Sequence, residues 1–144
     1  MVELSDTSVV PVIRIDFDDP AAWAVLQAEL LAPCGDGSGY EAKLEFVDWR
    51  DWSGRDAQDV DAVVPRGYPT TCEYPFMIVV DARAISGPEH PVFLIDVYEE
   101  DTAESFRAVA REVAGIEANL TLGNMAFSEF GDNVDDDGVF RGFQ

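Results

Sequence analysis

The apolar positions of this chain change period several times, and each change marks an element. Over residues 9–16, Val9, Ile13 and Ile15 fall on one side of an extended backbone and Val10, Val12 and Arg14 on the other, which predicts a strand. The period then lengthens to that of a helix, with Trp23, Leu26 and Leu30 forming an apolar stripe. Asp19 is placed to cap the first turn through its carboxylate, and Pro20 suits the first helical position, where no N–H is needed. Pro33 and Gly35 stop this helix, and 33–40 reads as a glycine-rich turn. Alternation returns over 42–48, where Leu44 and Phe46 interleave with Lys43, Glu45 and Val47, the pattern of a half-buried strand. Ser53 and Asp56 frame a short helix over 56–64, closed by Pro65 and Gly67, and 68–75 reads as loop.

The unbroken Phe-Met-Ile-Val-Val run within 76–81 predicts a central strand buried on both faces. A turn over 87–91 leads to another strand over 92–98, expected to pair antiparallel with the central one. An acidic turn over 99–104 precedes 106–110, read as the last strand. Beyond it Ile116, Leu120, Phe127, Phe130 and Val134 keep one helical face, with Gly123 as its weak point. The region 112–134 is therefore helical, as one helix or as two with Asn124 capping the second. Residues 132–138 terminate it, and 139–144 form an aromatic tail expected to dock, because Val139, Phe140 and Phe143 are too apolar for a free end. The order predicts one α/β or α+β domain over 1–144, a mixed sheet of about five strands covered by helices with a helical C-terminal region. The early strand–helix–strand unit argues for parallel pairing and the later hairpin for an antiparallel part.

Composition changes this picture in one respect. The chain carries 29 acidic against nine basic residues, a formal charge of −20. A phosphate-binding surface needs clustered Lys and Arg, so nucleic acid and anionic membranes are not expected partners. A basic protein partner, a bound cation, solubility or adaptation to high salt remain as uses for the charge. The apolar runs are too short to span a bilayer, and the first ten residues lack the basic and apolar segments of a secretory signal. Cys34 and Cys72 make no metal-type or redox-type pair, which fits reduced thiols in the cytoplasm, with a single bridge between these two loop residues as the alternative.

Candidate chemistry is sparse. Asp16, Asp18 and Asp19 follow the first predicted strand, Asp48 ends the second and Asp81 the third; carboxylates beyond strand ends would suit Mg²⁺. The arrangement is loosely similar to a response-regulator receiver domain, but no Lys follows the last strand. Asn133, Asp135, Asp137, Gly138 and Phe140 match the first half of a Ca²⁺ loop, yet Gln144 stands where the bidentate Glu belongs. His90, the only histidine, has no nucleophile or orienting partner by motif, and no hydrolase or metalloprotease signature is present. Trp49 and Trp52 flank Arg50 and Asp51 in a loop, and such tryptophans can anchor a protein partner or pack in the core. Phe140 and Phe143 offer the same choice between docking and recognition.

The segments IRIDFDDPAAW, PEHPVFLIDVYEE with the following FRAV, and IEANLTLGNMAFSEFGDNVDDDGVFRGF give the chain a family likeness. It resembles an uncharacterised family of small acidic proteins common in actinobacteria such as Streptomyces. The resemblance implies a bacterial cytoplasmic setting and transfers no catalytic residue. The expectation is thus a non-enzymatic, immunity-like or accessory domain that binds a basic protein through Trp49, Trp52, Phe140 and Phe143, with no resident cofactor. The alternatives are a Mg²⁺- or Ca²⁺-binding domain or metal-dependent enzyme using Asp16, Asp18, Asp81, Asp135 and Asp137, and a DNA mimic.

Overall fold

A computed structural model describes residues 9–35, 37–63, 76–97 and 105–143. The elements run β1 (Val10–Arg14), α1 (Pro20–Leu30), β2 (Leu44–Asp48), α2 (Ala57–Val63), β3 (Phe76–Val80), α3 (Ala82–Ser86), β4 (Pro91–Asp96), β5 (Ser105–Val109), α4 (Val113–Thr121), α5 (Phe127–Gly131) and β6 (Val139–Phe140). Single 3₁₀ turns lie at Arg50–Trp52 and Ala110–Glu112.

The strands form one mixed sheet in the order β2-β1-β3-β4-β5-β6. The first helix returns the chain to a parallel neighbour, β1 beside β2 with Val12 opposite Phe46. The chain then crosses through α2 to the other side of β1, so β3 pairs parallel with it, Ile13 opposite Val79. From β3 onward it meanders antiparallel through β4 and β5, with Ile78 opposite Leu94 and Leu94 opposite Phe106. Both the parallel unit and the hairpin follow the hydrophobic pattern. β3 is buried along its whole length, as a continuous apolar run between two neighbours should be.

The helices begin where the sequence supplies caps. Asp19 accepts the Ala22 N–H at 3.0 Å and Pro20 opens α1, whose Trp23, Leu26 and Leu30 are buried. Trp23 meets Phe46 edge-on at 5.8 Å between ring centres, which fixes α1 on the sheet face that carries Phe46. Asp56 and Asp59 exchange backbone contacts at the start of α2, each carboxylate accepting the other's N–H at 3.2 Å. Phe127 of α5 packs on Phe106 at 4.8 Å and Phe76 at 6.5 Å.

Three features depart from the sequence reading, and one choice that it left open is decided. The sheet has six strands, and the last is β6, not 106–110: Val139 and Phe140 pair parallel with Arg107 and Ala108. A helix, α3, occupies 82–86; it is only five residues long and its signal is the Asp81 cap rather than any periodicity. The region after β5 is two helices, broken at Gly123, whose φ of +72° a glycine adopts without steric cost. Asn124 does not cap the second; Ala126 sits at that position and its N–H is taken by Glu129 at 2.7 Å. The predicted loop 68–75, the turn 99–104 and the closing residues Pro65 and Gly67 lie outside the described residues.

Candidate functional site

Arg107 interrupts the apolar run of β5 between Phe106 and Ala108, and its side chain is turned to the carboxyl end of β3. There it forms a two-pronged pair with Asp81, Nη1 to Oδ1 at 2.9 Å and Nη2 to Oδ2 at 2.6 Å, both side chains under a tenth exposed. Nη1 also donates to the Pro91 carbonyl at 2.9 Å. Burial pushes the Asp81 carboxyl up, but the Arg107 hydrogen bonds and charge and the Ala84 N–H outweigh it, so its pKa lies below the ordinary carboxylate value. Asp81 thus caps α3 and holds Arg107 at once. Close by, His90 is buried with φ of +49°, and its Nδ1–H donates to the Ala84 carbonyl at 3.0 Å, a structural histidine.

A second arginine, Arg141, lies just after β6. It meets Glu89 through Nε at 3.0 Å, Asp135 through Nη1 at 2.8 Å and Asp137 through Nη2 at 2.7 Å. The half calcium motif therefore faces an internal cation: the carboxylates of Asp135 and Asp137 are directed at a guanidinium. Hydrogen bonding to Arg141 is the main cause of a lowered Asp137 pKa, and the three carboxylates raise that of Arg141. Among the described residues no group of three or more His, Cys, Asp or Glu is arranged to hold a metal ion.

Asp16 and Asp18 sit beyond the end of β1, where the Asp16 carboxylate accepts the Asp18 N–H at 3.3 Å, a turn role. Asp18 is exposed and Asp81 is engaged with Arg107, so the structure does not join these residues in one cluster. At the same end Arg14 and Arg50 lie over the Phe17 ring at 4.5 and 4.4 Å, and Arg14 also covers Trp23 at 4.8 Å. Burial is the main cause of a lowered Arg14 pKa. Trp49 belongs to the core, and its indole N–H has no partner among the described residues. Trp52 is half-buried against it, ring centres 5.4 Å apart, with Arg55 stacked over it at 4.5 Å.

The third arrangement is a cleft of about 360 Å³ between α4, α5, the turn after α1 and the segment after β6. Ile116, Phe130, Phe140 and Phe143 supply apolar wall, and Glu112 and Asn119 supply polar groups. The three phenyl rings contact one another at 5.1–5.5 Å between centres. Phe140 is buried, while Phe143 remains 54% exposed. The expected docking of the tail thus holds for Val139 and Phe140, and Phe143 is left at the surface. Gly142, at φ of +108°, brings the backbone so close that a Cβ there would stand 2.7 Å from Glu112 Oε1. Cys34, a free thiol, lies on the same wall and faces Gly115.

Another buried carboxylate lies on α4. Glu117 of α4 accepts the Tyr40 hydroxyl, and also the Lys43 N–H at 3.4 Å. Burial, together with this carboxylate, pushes the Tyr40 phenol up to about 12. Sequence reasoning missed Glu112, Glu117 and Arg107. A lone charge within FRAV is the signal for a buried ion pair; the two glutamates, one in the 3₁₀ turn before α4 and one within α4, carry no such mark.

The described residues thus offer internal ion pairs at Arg107 and Arg141 and, distinct from them, an aromatic cleft, on an α/β domain with a mixed six-stranded sheet. The chain belongs to the DUF6924 family, described as a domain of unknown function, whose family model matches residues 9–143. No curated protein matches the sequence. No helix among the described residues is long and apolar enough to cross a membrane.

Proposed function

We propose that this domain is a non-enzymatic binding module for a basic protein, immunity-like or accessory, acting in the bacterial cytoplasm. One observation carries the reading: among the described residues the arginines with the closest carboxylate contacts, Arg107 and Arg141, are bound to the protein's own Asp81, Glu89, Asp135 and Asp137. With a formal charge of −20, most remaining carboxylates have no cation of their own to meet. Such a field attracts a positively charged partner over about a Debye length and speeds encounter. The actinobacterial likeness of the sequence supports the setting. Half-buried Trp52 and the exposed Phe143 are the aromatic groups best placed to anchor a partner.

The test is capture from a lysate of the native cell at low salt, identification of the captured protein, and reconstitution from purified components. A basic partner whose affinity falls steeply with ionic strength and drops with Trp52→Ala is the expected result. An acidic partner, or affinity indifferent to salt, overturns the reading.

A further inference from the structure

We propose that the cleft between α4, α5 and the segment after β6 is a receptor for one cationic side chain, arginine or lysine, of a basic partner. The inference rests on the binding-module reading and names the part of the surface that does the recognising. The cleft joins two groups that suit such a ligand: a carboxylate that meets no cation among the described residues, and an aromatic cluster with one open ring. Glu112, half-buried on its wall, makes no cap to α4 and is engaged by no cation among the described residues. The Phe130–Phe140–Phe143 cluster stands beside it, with the outer ring open to solvent. An aromatic wall attracts a cation through the ring quadrupole, and a carboxylate at its rim adds a charge-assisted hydrogen bond.

The contrast with Arg141 sharpens the point. That guanidinium is already surrounded by Glu89, Asp135 and Asp137, whereas Glu112 meets no cation among the described residues. The volume, about 360 Å³, lies at the lower end of ligand pockets, roughly 300–1,000 Å³. It suits a side chain with a short flanking segment rather than a folded surface. The aliphatic stem of an arginine or lysine would lie along the exposed Phe143 ring while its head reaches Glu112. Gly142 keeps the entrance beside Glu112 free of a side chain.

The probe is an acetylated, amidated Leu-Arg-Leu peptide, compared with the same peptide carrying citrulline, a neutral isostere, in place of arginine. Amide NMR titration follows Gly115, Asn119 and Gly142, and the rate of Cys34 alkylation gives an independent readout of occupancy. The arginine peptide is expected to shift these amides, to protect Cys34, and to bind about tenfold more tightly than the citrulline peptide, a factor equal to about 1.4 kcal/mol. Glu112→Gln should erase that preference, and Phe143→Ala should weaken both peptides. Both side chains reach the surface, so each variant should stay folded, with Phe143→Ala losing only the stability that its contacts with Phe130 and Phe140 supply, and circular dichroism checks this. Shifts scattered over the acidic surface, no binding, or a preference that survives Glu112→Gln would each overturn the cleft as the receptor. In those cases a salt-sensitive basic partner captured from the lysate would still stand; its absence, with the cleft responding as expected, would sink only the wider reading.

Discussion

Arg107 and Arg141 lie on neighbouring segments of the sheet edge and both meet aspartates, yet they differ in kind. Arg107 has one carboxylate, Asp81, and is 8% exposed; Arg141 has three and is 26% exposed, with partners 39–47% exposed. Counting contacts would rank Arg141 first. Burial reverses the ranking, because removing one member of a buried pair strands a charge that water cannot reach, whereas exposed partners are rehydrated at once. The number of salt bridges is therefore a poor measure of what holds this fold together.

The largest expected effect follows from breaking the buried pair. Arg107→Met should destabilise by about 3–5 kcal/mol and lower the melting temperature by on the order of 10 °C. Adding Asp81→Leu should restore much of that loss, since no charge is then left buried. Thermal denaturation of the two variants checks this; a double variant as weak as the single one would mean the pair itself is strongly stabilising.

Next in size is the packing that holds Arg141 in place. Phe140→Ala removes a buried ring and should cost about 3 kcal/mol. If charge rather than packing held the segment, this variant would lose no more than Arg141→Gln, and denaturant titration separates the two.

Acid gives a third comparison. The Asp81 pKa is lower in the fold than its unfolded value of about 3.9. Its contribution is therefore complete at neutral pH and is lost as pH falls below about 4 through the folded value. Asp81→Asn should flatten the acid limb of the stability profile more than Asp137→Asn, although both pKa values are lowered. The smallest effect is expected of Arg141→Gln, a slight loss at low salt that vanishes as ionic strength rises. A loss that persists in high salt would place Arg141 with Arg107.

Much of the fold was legible because its elements are defined by local rules. The unbroken apolar run of β3, the Asp19–Pro20 start of α1 and the hairpin to β4 need no partner to be recognised. The two-residue β6 was not legible, since Val139 and Phe140 become a strand only when Arg107 and Ala108 lie beside them. The same limit applies to the site. Asp135 and Asp137 looked like ligands in a linear motif, and only folding brings Glu89 from 52 residues away to complete the ring around Arg141. Glu112 carries no mark in the sequence, because its surroundings come from four separate segments.

The brief β6 has one more consequence, for the behaviour of many copies together. A strand at the border of a sheet invites another chain to extend it, and β5, with Phe106, Ala108 and Val109 in five residues, would be such a template. β6 occupies that border, taking the Arg107 N–H onto the Gly138 carbonyl at 3.2 Å, and is itself too short to serve as a platform. A chain cut before Val139 would be expected to aggregate at concentrations where the whole protein stays dispersed, so the last short strand acts as a stopper against fibre-like growth.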